Sequence, residues 1–147
     1  MRAPDANLLI YAIDPSARHH AVARDWLEAV LSGPDTVGFT WSVLLAVVRL
    51  TTNPAIFDPP LEAEPALDLI DRWIEHPGST VLQATERHPR ILRSLLSEAG
   101  TAGNLTSDAH LAAIAIEHGA TLATFDGDFH RFGGLKLEFL GAGRAAG

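Results

Sequence analysis

Asp126 and Asp128 stand one glycine apart at the exit of a short apolar run, in the stretch ATLATFDGDFHRF at residues 120–132. Two further acids occupy comparable places. Asp5 follows a very short extended piece at residues 2–4, and Asp108 falls in the first turn of an alanine-rich helical segment. At a helix start the free N–H groups and the helix dipole favour a charged carboxylate. Brought together by folding, such acids would repel and raise one another's proton affinity. A divalent cation resolves that conflict. All-oxygen ligands with no cysteine and no paired-histidine spacing suit Mg²⁺, or Mn²⁺, better than zinc. Taken singly, each acid has a plainer reading: Asp-Gly-Asp as a turn, Asp108 as a helix-start acid, Asp5 as a polar residue near a terminus. The seven histidines, including His19-His20, show no ligand spacing and read as surface or partly buried side chains.

The elements that must position these acids follow from periodicity. Apolar residues at helical spacing predict helices over 18–32, 62–76 and 86–99, and Gly33-Pro34 and Gly100 end the first and last of these. Residues 41–51, WSVLLAVVRLT, are apolar nearly all round and predict a buried helix closed by Asn53-Pro54. A helix over 107–118 is expected to be capped by Thr106 and stopped by Gly119. Strands are expected at 36–40, 79–83, 121–124 and 135–140, while ANLLIYAI after Asp5 fits either a strand or a first helix. Short strands alternating with helices imply parallel βαβ units in a three-layer α/β domain. Sites in such sheets lie beyond the carboxyl ends of the strands, where Asp5 and Asp126 fall.

With 147 residues the chain has the length of one domain, and a hydrophobic fraction of 47% against 20% charged residues excludes a disordered chain. No repeat or linker interrupts it, so a single domain spanning 1–147 is expected, with a flexible tail at 141–147. The absence of cysteine excludes disulfides, thiolate metal sites and cysteine nucleophiles. The start, Met1-Arg2-Ala3-Pro4-Asp5, places an acid where a secretory signal needs apolar residues. The longest strongly apolar run, Val43 to Val48, is far short of the roughly 20 residues that span a bilayer. A cytoplasmic protein with no membrane partner is therefore expected. The formal charge of −7 argues against a general affinity for nucleic acid. Acids gathered around a cation would nevertheless create a place where phosphate binds.

Three segments, PDANLLIYA, WSVLLAVVRLTTNP and NLTSDAHLAAIAIEHGATLATFDGDF, together resemble the PIN-domain ribonucleases, specifically the VapC-type toxins of bacterial toxin–antitoxin pairs. The resemblance covers nearly the whole chain in order and spacing. It implies a PIN-like fold with a five-stranded parallel sheet between helices, and metal-dependent hydrolysis of RNA. It puts the metal-binding and catalytic acids on Asp5, Asp108 and Asp126, with Asp128 as an accessory acid. Asn7, Arg49, Asn104 and Thr124 match the family's polar positions and are assigned to substrate binding. Arg49, on so apolar a helix, is expected to pair with an acid of the pocket, and Arg87, Arg90 and Arg93 could line its rim or form a solvated helix face. The resemblance further implies a homodimer silenced by a cognate antitoxin, and the apolar surplus of Leu44, Leu45, Val47 and Val48 leaves room for an interface.

One position departs from that pattern. Relatives carry a glutamate three residues before the arginine, where this chain has Ala46. The second catalytic acid is thus missing, and this form is expected to be inactive or weakened. Two accounts fit: a naturally silent module that binds RNA or an antitoxin without cutting, or a Glu→Ala replacement that makes a growth-inhibiting nuclease tolerable to its host. The intact remainder of the motif favours the second. A sugar-nucleotide transferase using Asp126 and Asp128 as a metal-binding pair is a further alternative; it would not need Asp5 or Asp108 nearby.

Overall fold

Pro4 sets how the chain begins. A proline cannot donate to a sheet ladder, and in the computed structural model, which describes residues 1–141, strand β1 (Arg2–Pro4) ends there. Its pairing to β2 (Val37–Thr40) is confined to Arg2↔Val37, whereas its pairing to β4 (Thr121–Thr124) runs through Pro4↔Ala123. The Asp5 N–H then donates to Ala123 O at 2.9 Å, which holds the first acid beside the end of β4. With β3 (Ser79–Leu82) and β5 (Lys136–Phe139), the five strands form one parallel sheet in the order β3-β2-β1-β4-β5.

ANLLIYAI resolves as helix α1 (Ala6–Ile13), because Asp5 caps it. Leu8 and Leu9 are fully buried, each worth about 2 kcal/mol or more on transfer from water. The other helices are α2 (His20–Ser32), α3 (Trp41–Thr51), α4 (Ala63–Glu75), α5 (His88–Ala99) and α6 (Thr106–Glu117). Helix α1 packs on α2 and α3, and α3 on α4, while α5 packs on α6. One core joins these groups to the sheet through Phe39, Leu44, Val47, Ile70, Ala112 and Leu122. This is the three-layer α/β architecture, with a five-stranded parallel sheet, that the sequence predicts.

Several boundaries differ from expectation. Helix α2 starts at His20 rather than 18, because Ser16 bonds back to Asp14 and makes a turn first. Thr106 does not cap α6; it is the helix's first residue, preceded by a 3₁₀ turn at Gly103–Leu105 that already feeds the helix. Asp-Gly-Asp opens a 3₁₀ turn at Gly127–Arg131. The expected tail lies outside the described residues beyond Gly141. Among the described residues no helix is long and apolar enough to cross a membrane.

Candidate active site

Beyond the carboxyl ends of β1 and β4, a cavity of about 220 Å³ is lined by Asp5, Asp108 and Asp126, with Asn7, Ala46 and Arg49 also on its wall. The sheet brings the first and third of these acids together. The helix start of α6 supplies the second, and α3 adds Ala46 and Arg49 to the wall.

The arrangement of the carboxylates departs from the sequence reading in one respect. Oxygens of Asp108, Asp126 and Asp128 lie within 4.8 Å of one another. Asp5 shares the cavity but stands outside that tight group, because both its oxygens are drawn elsewhere. Oδ1 accepts from the Ala6 N–H at 2.7 Å, and Oδ2 accepts from the Thr124 hydroxyl at 2.8 Å. Asp128, expected as an accessory, is therefore one of the three that converge. The reason is the 3₁₀ turn: Asp126 Oδ1 accepts from the Asp128 N–H at 2.9 Å, which folds Asp128 back beside its neighbour.

Thr124 is fully buried, so it cannot touch a substrate, as its assignment to substrate binding requires. Its hydroxyl donates to Asp5 and accepts the Asp126 N–H at 2.9 Å, fixing the spacing between the two acids. Asn7 is exposed and lines the cavity. Asn104 sits in the 3₁₀ turn before α6 and is not part of the wall. Arg49 lines the cavity but makes no ion pair among the described residues, against the expected pairing with an acid; its side chain is exposed rather than held inside α3. Arg87, Arg90 and Arg93 do not rim the cavity. Arg87 instead donates to the carbonyl of Glu117, at the far end of α6 from Asp108.

The electrostatics follow from crowding and burial. Burial raises the Asp5 carboxyl above its ordinary value, the bonds from Thr124 and Ala6 oppose that, and Asp126 adds to it. Asp108 is pushed up to about 6, first by burial and then by the charges of Asp5, Asp126 and Asp128. Raised carboxyls at Asp5 and Asp108 beside two further acids fit a hard cation. Oxygens bound to one Mg²⁺ lie at most about 4.2 Å apart across the ion, so small side-chain rotations would gather the three.

Sequence reasoning missed one polar cluster altogether. Glu117 Oε1 accepts from the Thr85 N–H and hydroxyl, its Oε2 meets His88 Nδ1 at 2.5 Å, and His88 Nε2 meets His110 Nδ1 at 2.9 Å. Burial opposes ionisation of Glu117, but the bonds from Thr85 and His88 prevail and hold its carboxyl below the ordinary range. The two histidines are far apart in the chain and meet only because α5 packs on α6, so spacing carried no signal.

Comparison with known proteins bears on this geometry. The PIN domain matches residues 3–135. The chain is 43% identical over 138 residues to ribonuclease VapC37 of Mycobacterium tuberculosis, covering 94% of this chain and 96% of the relative. It is 35% identical over 133 residues to ribonuclease VapC33 of the same species, covering 90% and 93%. Among solved structures, the fold is similar to M. tuberculosis VapC20, described as a sarcin-ricin loop cleaving toxin, with a TM-score of 0.67, 16% identity and coverage of 92% and 99%. VapBC2 of Rickettsia felis, bound to a DNA fragment from its promoter, is similar with a TM-score of 0.66 at 22% identity, covering 94% and 97%.

Proposed function

Because the chain belongs to the PIN-domain family, among its VapC-type ribonucleases, we propose that it hydrolyses RNA phosphodiesters at the acid cluster in a reaction that depends on a divalent cation. The observation that carries this reading is the convergence of acids from separate parts of the chain on one cavity. A transferase using only Asp126 and Asp128 would have no need of Asp5 and Asp108 there.

Asp108, Asp126 and Asp128 would hold the cation, with Asp5 completing the negative field behind them. Bound there, Mg²⁺ or Mn²⁺ supplies polarisation of a phosphate and a lowered pKa for a ligated water. The protein's own contributions are positional. Thr124 locks Asp5 and the Asp126 backbone at a fixed separation. Arg49, on the same cavity wall, offers a guanidinium fork to a phosphate oxygen pair, and the exposed Asn7 an amide.

Ala46 lines the same cavity, so a glutamate there would project into it from α3. Its absence removes a carboxylate that could ligate a cation or orient water, and leaves the fold intact because alanine is the best helix former. This form is accordingly a weak nuclease. The silent module is the second reading, favoured by Ala46 itself. Cleavage of RNA by the Ala46→Glu variant, with and without Mg²⁺, separates the two: a sharp Mg²⁺-dependent gain supports the nuclease, and no gain over the parent leaves the binding module.

The same reading gives the protein partners and a location in the cytoplasm. Leu45 is 61% exposed and, with Val48, Ser42 and Arg49, borders a shallow groove beside the cavity. A cognate antitoxin seated there could carry a basic side chain to the acids, and a second copy of the chain would form a homodimer through another face.

A further inference from the structure

A second cavity of about 220 Å³ opens next to the acid cavity on the same edge of the sheet, beyond the carboxyl ends of β2 and β3. Thr40, Trp41, Ser42, Gln83 and His110 line it, and Ser42 belongs to both walls. Two strand spacings separate the pair of strands under one cavity from the pair under the other, about 10 Å. We propose that this second cavity is a subsite for an unpaired nucleobase of the RNA, adjoining the nucleotide whose phosphate meets the acids, with Trp41 as its stacking platform. The proposal rests on the ribonuclease reading and adds to it the residues that hold the flanking base.

Trp41 is the feature that sets this cavity apart. It is 46% exposed, whereas Trp26 and Trp73 are 8% and 6% exposed. An indole left partly in water at a cavity of mixed polar and apolar lining matches the π-face of any base. The walls supply the other half of base recognition. The Gln83 side-chain amide, both a donor and an acceptor, has no partner among the described residues; only its backbone carbonyl is engaged, by His118. His110 lines the cavity with Nδ1 held by His88, which is held in turn by the buried Glu117, and its other ring nitrogen has no partner among the described residues. This chain fixes the plane of the imidazole before any ligand arrives. Thr40 is buried, its hydroxyl accepting from the Val43 N–H and bonding Ser42 at 3.2 Å, so it holds in place the exposed Ser42 hydroxyl, which is able to meet a base edge. Leu82, Ala84 and Ile114 supply the apolar part of the lining, which suits the face of a base as the polar groups suit its edge.

Trp41 also reports on its own occupancy, since its indole alone of the three is open to solvent. Tryptophan emission of the protein as it stands should fall on titration with a short single-stranded oligoribonucleotide of mixed sequence. Trp41→Ala should abolish that quench and weaken binding about tenfold, within the range of one base stacked on an aromatic ring. Trp41→Phe, which keeps a ring, should bind within about twofold of the parent. In the Ala46→Glu background, Trp41→Ala should raise KM, and Gln83→Ala should change the base preferred beside the cut. If the Ala46→Glu form cuts RNA but Trp41→Ala alters neither its KM nor its cleavage sites, the subsite is wrong and the nuclease stands. Should Trp41→Ala change only the oligomeric state, the indole belongs to a protein interface and the proposal falls. Failure of the Ala46→Glu form to cut or bind RNA at all overturns both readings.

Discussion

Replacing Asp108 with Asn should make the metal-free protein more stable, and by an amount that depends on pH in a definite sense. Asp108 moves from an ordinary value of 3.8 to about 6 in the folded chain, which at full strength is worth about 3 kcal/mol. The side chain is only half-buried, and solvent screening reduces this to about 1–2 kcal/mol. The sign follows from linkage: the folded state holds the proton more tightly than the unfolded one, so the penalty is absent below pH about 4, grows as pH rises towards 6, and is complete above it. Urea unfolding in a chelator should therefore show little difference between parent and Asp108→Asn at pH 4 and a clear gain for the variant at pH 7.5. Adding Mn²⁺ should reverse the order at pH 7.5, because a ligand that binds only the folded state stabilises it by mass action. Equal gains at both pH values, or a less stable variant without metal, would refute the idea that burial, together with the charges of Asp5, Asp126 and Asp128, raises this carboxyl.

Other consequences concern the supports of the site. Thr124→Val keeps the shape of a fully buried side chain and removes the donor to Asp5; it should cost about 1–3 kcal/mol and raise the proton affinity of Asp5 further, read by denaturant melts and by carboxyl NMR titration. Glu117→Gln should cost about 2 kcal/mol near neutral pH, since Glu117 is buried and serves Thr85 and His88. Its depressed carboxyl stabilises the fold above the ordinary value of 4.5 and loses that effect as pH falls below it, so parent and variant should converge in acid. In Gly38→Ala the added Cβ would lie 2.5 Å from Leu82 Cδ1 and 2.7 Å from its Cγ, and overpacking of this kind costs about 1–3 kcal/mol. An unchanged unfolding midpoint would show that β2 and β3 have more room than this contact implies.

The sheet was legible in the sequence because its strands are short apolar runs between helices with clear stops, and the carboxyl-edge rule then put Asp5 and Asp126 near each other. Which acids converge was not legible. The orientation of Asp5 depends on Ala6 next door and on Thr124, 119 residues away. A spacing argument cannot see the second of these. Asp128 is turned inward by a single backbone bond to Asp126, which the reading of Asp-Gly-Asp as a plain turn did not resolve. Basic residues were equally hard to place. Arg87 looked free on an amphipathic helix, yet the packing of α5 on α6 gives it the carbonyl of Glu117. Arg49 looked trapped on an apolar helix, yet it is exposed, lines the cavity and has no ion pair among the described residues.

The account turns on a hard cation sitting among Asp108, Asp126 and Asp128. Calorimetric titration of the unaltered chain with Mn²⁺ tests this without any need for catalysis. The account predicts saturable binding that is lost in the Asp126→Asn and Asp128→Asn variants and weakened, with the fold retained by circular dichroism, in Asp5→Asn. Binding that is absent from the parent, or that survives both of the first two replacements unchanged, would contradict it.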